Sequence, residues 1–204
     1  MSDMAAPTTD EVRLRPITVA EYHRMGEIGI LGPDERVQLV SGRILEMPPI
    51  GPRHAARVGV LDHLFSSRFE GRAAVRSQQP ITLDSRSEPE PDVVIACRSR
   101  DGYESAHPTA AEVLLVVEVS DATLSTDRVE KLTAYAKSNV PEYWIVNLVD
   151  GVVELYAEPD GATYRRRHVA RSGESVAPRA FPDDAIAVDD ILPRTPICGY
   201  NEGA

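Results

Sequence analysis

The sequence predicts one α/β domain built on a mixed β-sheet that is flanked by helices, with an added N-terminal helix and β-hairpin. Three observations support this prediction. The chain has 204 residues, 42% hydrophobic and 26% charged, which suits one globular domain with its own core. Its longest apolar runs have the length of strands rather than of membrane spans. Residues 114–148 are predicted to form a strand, a helix and a second strand, an order typical of α/β folds.

The domain is expected to span residues 13–195. Residues 1–12 are predicted to be a disordered tail, and residues 196–204 a C-terminal tail. The acidic start lacks the basic and then apolar pattern of a secretion signal, so a cytoplasmic location without a membrane partner is expected.

The elements in the first half of the domain are predicted from a helix-capping motif, turn residues and the periodicity of apolar residues. A capping box at Thr18–Glu21 begins a short helix that ends near Gly29. Arg36–Met47 alternates on both sides of Ser41-Gly42 and predicts a β-hairpin. A helix is expected from Arg53 to Phe69, with its apolar positions on one side.

The remaining strands are predicted from short apolar or alternating runs bounded by turn residues. They are Ala73–Gln78, Ile81–Leu83, Glu90–Ala96, Leu114–Val117 with Glu118, Tyr143–Leu148, and a second hairpin of Val152–Tyr156 and Tyr164–Ala170.

A helix is predicted between the strands that contain Glu118 and Tyr143. Ser125 or Thr126 serves as its N-cap, and Asn139-Val140-Pro141 ends it. Val129, Leu132 and Ala136 are expected to form its buried stripe.

The net charge of the chain limits which molecules it is expected to bind. A net charge of −10 and a pI near 5.0 argue against broad non-specific binding of nucleic acid, although they allow a local basic patch. Of the 22 basic residues only Lys131 and Lys137 are lysine. Because lysine and arginine are not interchangeable, a lysine at 131 suggests that an ammonium is needed there.

The residues that carry chemistry are Asp92, Glu118 and Lys131. Glu118 interrupts an apolar strand, where a carboxylate is costly unless a cation or a proton meets it. Carboxylates on neighbouring strands can hold Mg²⁺ or Mn²⁺, and a lysine can position a water molecule or a phosphate. The pattern therefore indicates a site for phosphodiester hydrolysis.

These residues lie within a set of motifs that resembles the Uma2 (DUF820) family in the PD-(D/E)XK superfamily of restriction-endonuclease-like nucleases. The resemblance covers roughly residues 15–195. The matching segments are Gly42–Met47, Ile50–His54, Glu88–Asp92, Leu115–Val119, Asp127–Lys131 with Tyr135, and Val140–Trp144.

The resemblance implies a restriction-endonuclease-like fold and a metal-dependent endonuclease acting on DNA. It implies that Asp92 and Glu118 are the metal ligands and that Lys131 is the catalytic lysine, because Ser120 occupies the usual lysine position two residues after Glu118. His54 matches a family histidine, and Asp127 lies within the matching helix segment.

One position departs from the family pattern. Gln38 stands where the family usually has a glutamate in the first hairpin, which puts the strength of metal binding in doubt. Glu46, on the other strand of the hairpin, is a candidate to replace that acid. Gln38, Glu46, His54 and Asp127 are therefore accessory candidates. Since cleavage of both DNA strands needs two active sites, a homodimer is also expected.

Several of these residues have structural alternatives. Asp92 fits the start of a strand, Glu118 an ion pair with a buried arginine, and His54 a helix start. Asp127 and Lys131 fit an exposed i,i+4 pair.

The function has alternatives of other classes as well. One is a catalytically inactive protein that binds nucleic acid or a partner protein, and another is an oligomerisation module. Phosphate binding by an acidic nuclease would need local arginines, for which the candidates are Arg53, Arg57, Arg68, Arg72 and Arg76.

Overall fold

The computed structural model describes residues 14–192. The predicted tails, 1–12 and 196–204, lie outside the described residues. The helices are α1 (Val19–Glu27), α2 (Pro52–Arg68), α3 (Leu124–Thr126), a π-helical turn (Asp127–Lys131), α4 (Leu132–Lys137) and α5 (Val188–Ile191). The strands are β1 (Val37–Val40), β2 (Arg43–Glu46), β3 (Ala74–Ser77), β4 (Val93–Ala96), β5 (Val113–Ser120), β6 (Glu142–Asn147), β7 (Val152–Asp160), β8 (Thr163–Ala170), β9 (Ser175–Val176) and β10 (Ile186–Ala187).

A six-stranded mixed sheet in the order β3-β4-β5-β6-β7-β8 forms the centre of the domain. Its only parallel pair is β5 with β6, which the segment α3–α4 connects, while the other neighbours are antiparallel. A crossover of this kind needs a helix-length connection, which the strand–helix–strand pattern of the sequence predicts. The α/β fold class is therefore confirmed.

Each face of the sheet has its own hydrophobic layer, because side chains of a strand alternate between faces. On one face Val93 and Val117 pack with residues of α2 such as Phe65. On the other face Val94 and Val116 pack with residues of α4, which include Tyr135. The two helices expected to flank the sheet do so.

The N-terminal helix and the first hairpin lie where the sequence predicts them. The Thr18 hydroxyl accepts a hydrogen bond from the Glu21 backbone N–H, and the Glu21 carboxylate accepts one from the Thr18 backbone N–H. In the turn between β1 and β2, Gly42 has φ +74°, and a Cβ there would lie 2.4 Å from the Pro16 side chain. Only glycine fits this close approach.

Two strand predictions need correction. Ile81–Leu83 is not a strand, since its β-pairing within the described chain is limited to an isolated bridge from Thr82 to Thr109. The strand predicted at Glu90–Ala96 begins at Val93. The prolines at 80, 89 and 91 explain both differences, because proline donates no hydrogen bond to a ladder.

The helix after β5 differs from the prediction at its start and in its interior. It begins at Leu124, directly after Thr123, so neither Ser125 nor Thr126 is its N-cap. Val129 was expected on the buried stripe, but it is 60% exposed, whereas Asp127 and Lys131 are buried. The π-helical turn causes this difference, because a wider turn changes which side chains face the sheet. The turn also contacts β7. Arg128 of the turn donates hydrogen bonds to both carboxylate oxygens of Glu154, a fully buried residue of β7.

None of the helices between residues 14 and 192 is long and apolar enough to span a membrane.

Candidate active site

A cavity of about 220 Å³ opens at one end of the central sheet, between the first hairpin, the start of α2 and the π-helical turn. All seven candidate residues from the sequence line it. They are Gln38, Glu46, His54, Asp92, Glu118, Asp127 and Lys131. The structure therefore brings together side chains that are up to 93 positions apart in the sequence.

The sheet places Asp92 beside Glu118. The register pairs Val93 of β4 with Val117 of β5, so the next position along each strand brings residues 92 and 118 side by side. Since neighbours in a strand face opposite sides, both acids lie on the face of the sheet that α4 covers. The strand-start interpretation of Asp92 is compatible with this position, because Asp92 directly precedes β4.

Glu118 is held by two donors from the helix that covers it. Its Oε1 accepts hydrogen bonds from Lys131 Nζ at 2.8 Å and from Tyr135 Oη at 2.7 Å. Glu118 is 2% exposed and Lys131 6% exposed, so this is a buried ion pair. The alternative of a buried arginine as the partner of Glu118 is wrong, because the partner is a lysine.

Asp92 is held by backbone and by histidine. Its Oδ2 accepts hydrogen bonds from the backbone N–H of Val119 at 2.8 Å and from His54 Nε2 at 3.0 Å. The hydrogen bond with Asp92 raises the pKa of His54, and partial burial opposes this change. His54 Nδ1 is buried and has no hydrogen-bond partner among the described residues. His54 thus contacts the candidate metal ligand directly rather than only beginning α2.

Asp127 is buried, at 1% exposure, and one of its two carboxylate oxygens is saturated with hydrogen bonds. Its Oδ2 accepts from Ser120 Oγ at 2.7 Å and from Thr123 Oγ1 at 2.6 Å. Its Oδ1 lies 3.8 Å from Lys131 Nζ, an ionic contact that is too long for a hydrogen bond. The interpretation of Asp127 and Lys131 as an exposed pair is therefore wrong.

Negative charge exceeds positive charge in the interior of the site, where Asp92, Glu118 and Asp127 surround Lys131. Burial raises the pKa of Glu118, and the attraction of Lys131 only partly offsets this effect. Burial also opposes the charge of Lys131, but the neighbouring carboxylates outweigh it and raise the pKa of Lys131. Both pKa changes follow from the same excess of negative charge, which either a proton or a cation would neutralise.

The donor set fits a hard divalent cation. Both hydrogen bonds to Asp92 fall on Oδ2 and both to Glu118 fall on Oε1. Oδ1 of Asp92 and Oε2 of Glu118 accept none from residues 14–192. In that part of the chain no three His, Cys, Asp or Glu side chains form a metal cluster. Two carboxylates suit Mg²⁺, which keeps several waters and binds substrate phosphate alongside one or two protein carboxylates.

The two hairpin candidates differ in burial. Gln38 is 6% exposed, and its Oε1 accepts a hydrogen bond from the Glu90 backbone N–H at 3.2 Å. Glu46 is exposed at the rim of the cavity. A carboxylate at position 38 would therefore lie inside the site, whereas the carboxylate of Glu46 remains hydrated.

Other residues of the site were not among the seven candidates, although Tyr135 stands in one of the matching motifs. Glu90 and Asp121 also line the cavity, and Tyr135 donates to Glu118. Burial raises the pKa of Glu90. The spacing of Tyr135 four residues after Lys131 is a signal that could have placed both on one helix face.

Most of the arginines considered for phosphate binding have partners elsewhere. Arg57 and Arg68 donate to the backbone carbonyls of Ile191 and Ala185, and Arg72 forms a bidentate pair with Asp184. These contacts hold the C-terminal segment against α2. Among the ion pairs that these five arginines form within residues 14–192, only that of Arg53 with Asp121, at 3.4 Å, involves a residue that lines the cavity.

Comparisons with known proteins agree with this architecture. The family model Uma2, described as "Putative restriction endonuclease", matches residues 19–189. A solved structure from Anabaena variabilis, described as "a putative nuclease belonging to DUF820", superimposes with a TM-score of 0.67 at 16% sequence identity. The match covers 86% of this chain and 97% of that one, and at this identity it shows the fold. No curated protein matches the chain significantly.

Proposed function

Since this chain belongs to the Uma2 family, we propose that it is a metal-dependent endonuclease that hydrolyses phosphodiester bonds of DNA. The observation that carries the proposal is the meeting of Asp92, Glu118 and Lys131 in one cavity, with Lys131 Nζ 2.8 Å from Glu118. Fold similarity alone would not support an activity, because one fold hosts many functions.

Asp92 and Glu118 are the residues that would hold the cation, through the carboxylate oxygens that accept no hydrogen bond from the described chain. A bound Mg²⁺ or Mn²⁺ would supply a water of lowered pKa and neutralise charge on the phosphate. The backbone N–H of Val119 and His54 Nε2 orient Asp92 for this role, and Tyr135 orients Glu118. Outer contacts of this kind fix the direction of ligands.

Lys131 acts as a hydrogen-bond donor rather than as a base. The surrounding carboxylates raise its pKa despite burial, so the amine stays protonated at neutral pH. An ammonium has three N–H donors, and one is used by Glu118. The other two are available for a phosphate oxygen or for the attacking water, where a positioned cation stabilises the charge that develops in the transition state.

Because the site is acidic, a nucleic-acid substrate needs cations in order to bind there. Glu46, Glu90 and Asp121 add to the carboxylates around the cavity, and the chain carries a net charge of −10. A polyanion is repelled by such a surface unless cations intervene. Divalent cations are therefore needed for binding as well as for chemistry. Arg36 lines the cavity and Arg53 contacts Asp121 at its edge, so these two arginines would assist.

The test is cleavage of supercoiled plasmid by the full chain with Mg²⁺ or Mn²⁺, with an EDTA control. We expect nicked and linear products that depend on the metal and disappear in Asp92→Ala. Asp34→Ala is the matched control, because Asp34 is exposed and lies outside the cavity. A parallel assay on RNA establishes which nucleic acid is cut. Cleavage that survives in EDTA, or equally in both variants, would contradict the proposal.

A second candidate is a catalytically inactive protein that binds nucleic acid or a partner protein through the same scaffold. The observation that favours it is Gln38, a neutral side chain buried at the position where the family usually has an acid. Binding of labelled DNA without cleavage at any metal concentration would establish this candidate instead.

A further inference from the structure

The ammonium of Lys131 lies between two buried carboxylates that hold it unequally. Its Nζ is 2.8 Å from Oε1 of Glu118 and 3.8 Å from Oδ1 of Asp127. The first distance is a charge-assisted hydrogen bond and the second is only an ionic contact. A small displacement of a flexible lysine side chain would exchange the two.

The oxygen at the longer distance has unused hydrogen-bonding capacity. Oδ1 of Asp127 is buried and accepts no hydrogen bond from any residue in the described part of the chain. A buried acceptor without a donor is unfavourable, because it has lost water and gained nothing in exchange. Its position beside an ammonium suggests that the oxygen serves a second arrangement of the same site.

Asp127 itself is held firmly. Ser120 and Thr123 donate to its Oδ2, its backbone N–H donates to the Thr123 carbonyl at 3.0 Å, and Tyr143 Oη donates to its carbonyl at 3.2 Å. Asp127 and Lys131 are the first and last residues of the π-helical turn. A carboxylate fixed in this way would stay in place while the longer lysine side chain moves toward it.

We propose that Asp127 is a positioning residue that receives the Lys131 ammonium when the charge of Glu118 is taken up by a bound cation. This inference rests on the proposed function, because it assigns Asp127 a role in the same site. With a cation on Glu118 the ammonium would be repelled from Oε1, and Oδ1 of Asp127 is the other described carboxylate oxygen within 4 Å of Nζ, at 3.8 Å. The transfer keeps Lys131 charged and inside the cavity instead of releasing it to solvent.

The chain allows the ammonium to be observed directly, because Lys131 and Lys137 are its only lysines. In the full-length protein with ¹⁵N-labelled lysine, an amino-group ¹H–¹⁵N spectrum contains at most two signals. Lys137→Arg assigns them, and exposed Lys137 exchanges its amino protons with water freely. Persistence of the Lys131 signal shows that its ammonium is held by a partner.

The first arm needs no metal and therefore tests the inference apart from the proposed function. We expect the Lys131 signal to persist in Asp127→Asn, where Glu118 holds the ammonium, and in Glu118→Gln, where Asp127 receives it. In Glu118→Gln with Asp127→Asn, exchange should be at least about tenfold faster, since neither carboxylate remains. Loss of the signal in Glu118→Gln alone would overturn the inference, as would its persistence in the double variant.

The second arm adds Mg²⁺ and covers the case in which the double variant does not fold. In the wild type the Lys131 signal should shift and persist at saturating Mg²⁺, whereas in Asp127→Asn it should disappear. An unshifted signal in the wild type with Mg²⁺ bound would mean that Lys131 stays on Glu118 and would overturn the transfer. If Mg²⁺ does not bind, the metal assignment of the proposed function fails, and the first arm still decides the role of Asp127.

Discussion

Lys131 and Glu118 form a buried ion pair, with Lys131 Nζ 2.8 Å from Oε1 of Glu118. The two residues are 13 positions apart in the sequence, one on β5 and the other on the π-helical turn that follows it. A buried charge is expensive unless it is paired and hydrogen-bonded. The excess of negative charge around this pair leads to the first three predictions, and the π-helical turn beside it leads to the fourth.

A divalent cation is expected to stabilise the fold. If Asp92 and Glu118 are the ligands, Mg²⁺ or Mn²⁺ relieves the repulsion between them, and a concentration ten times the Kd should raise Tm by roughly 3–6 °C. Differential scanning fluorimetry of the wild type and of Asp92→Ala measures this effect. An equal rise in both proteins would place the cation elsewhere.

Removal of the Lys131 ammonium should reduce cleavage much more than removal of Lys137. Lys131→Ala is expected to lower the turnover about 10²-fold or more, in the range for a lost transition-state donor. It should also lower stability, because it leaves Glu118 buried without its cation. Lys137→Ala is the matched control, since Lys137 is the other lysine and is exposed. Comparable losses of turnover in the two variants would mean that general surface charge, rather than the site, is responsible.

Addition of an acid at position 38 should tighten metal binding. Gln38→Glu retains the oxygen that accepts from the Glu90 backbone and adds a carboxylate inside the cavity. Because ligand charge helps set the affinity for hard cations, Mg²⁺ should bind more tightly, whereas the metal-free protein becomes less stable.

Isothermal titration calorimetry of wild type, Gln38→Glu and Glu46→Gln measures these affinities side by side. Glu46→Gln should change little, since Glu46 is exposed at the rim. An unchanged affinity in Gln38→Glu would exclude the hairpin from the metal site.

The buried Glu154 should make stability depend on acidic pH. Burial alone would raise its pKa, but hydrogen bonds from Arg128, Tyr156, Asn147 and Arg167 outweigh burial and lower the pKa of Glu154 from 4.5 to about 2. A lowered pKa contributes stability that is fully present above pH 4.5 and is lost as the pH falls toward 2.

Glu154→Gln should therefore lower the free energy of unfolding by about 3 kcal/mol at neutral pH, as is typical when one partner of a buried pair is removed. Urea denaturation at pH 7, 4.5 and 3 should show this difference shrinking as the pH falls. Glu70→Gln, an exposed control, should behave like the wild type. A difference that does not depend on pH would assign Glu154 a packing role instead.

A homodimer is expected from the chemistry of cutting two strands. The sequence also suggests that the hairpins at 36–47 and 152–170 offer apolar faces for pairing, but no large hydrophobic side chain of these residues is exposed. Light scattering at several micromolar concentrations should give twice the 22.3 kDa of the chain. A mass of one chain at all concentrations would contradict the expectation.

The sequence by itself determined the fold class, the family and the candidate residues. Strand-length apolar runs, the Thr18 capping box and the amphipathic pattern of α2 are local signals, and local signals can be read without knowing what packs against them. A carboxylate within an apolar strand likewise marked Glu118 before its partner was known. All seven candidate residues line the same cavity, while their chemical roles stay predictions.

Only the tertiary structure decided which partners these residues have. Helical periodicity placed Val129 in the core, but the π-helical turn exposes it and buries Asp127 and Lys131 instead. Five arginines were candidates for phosphate binding in the sequence, yet three of them, Arg57, Arg68 and Arg72, hold the C-terminal segment. Both outcomes depend on packing between residues that are distant in the sequence. Such packing selects among local conformations of similar energy, and the spacing of apolar or charged residues within one segment does not reveal it.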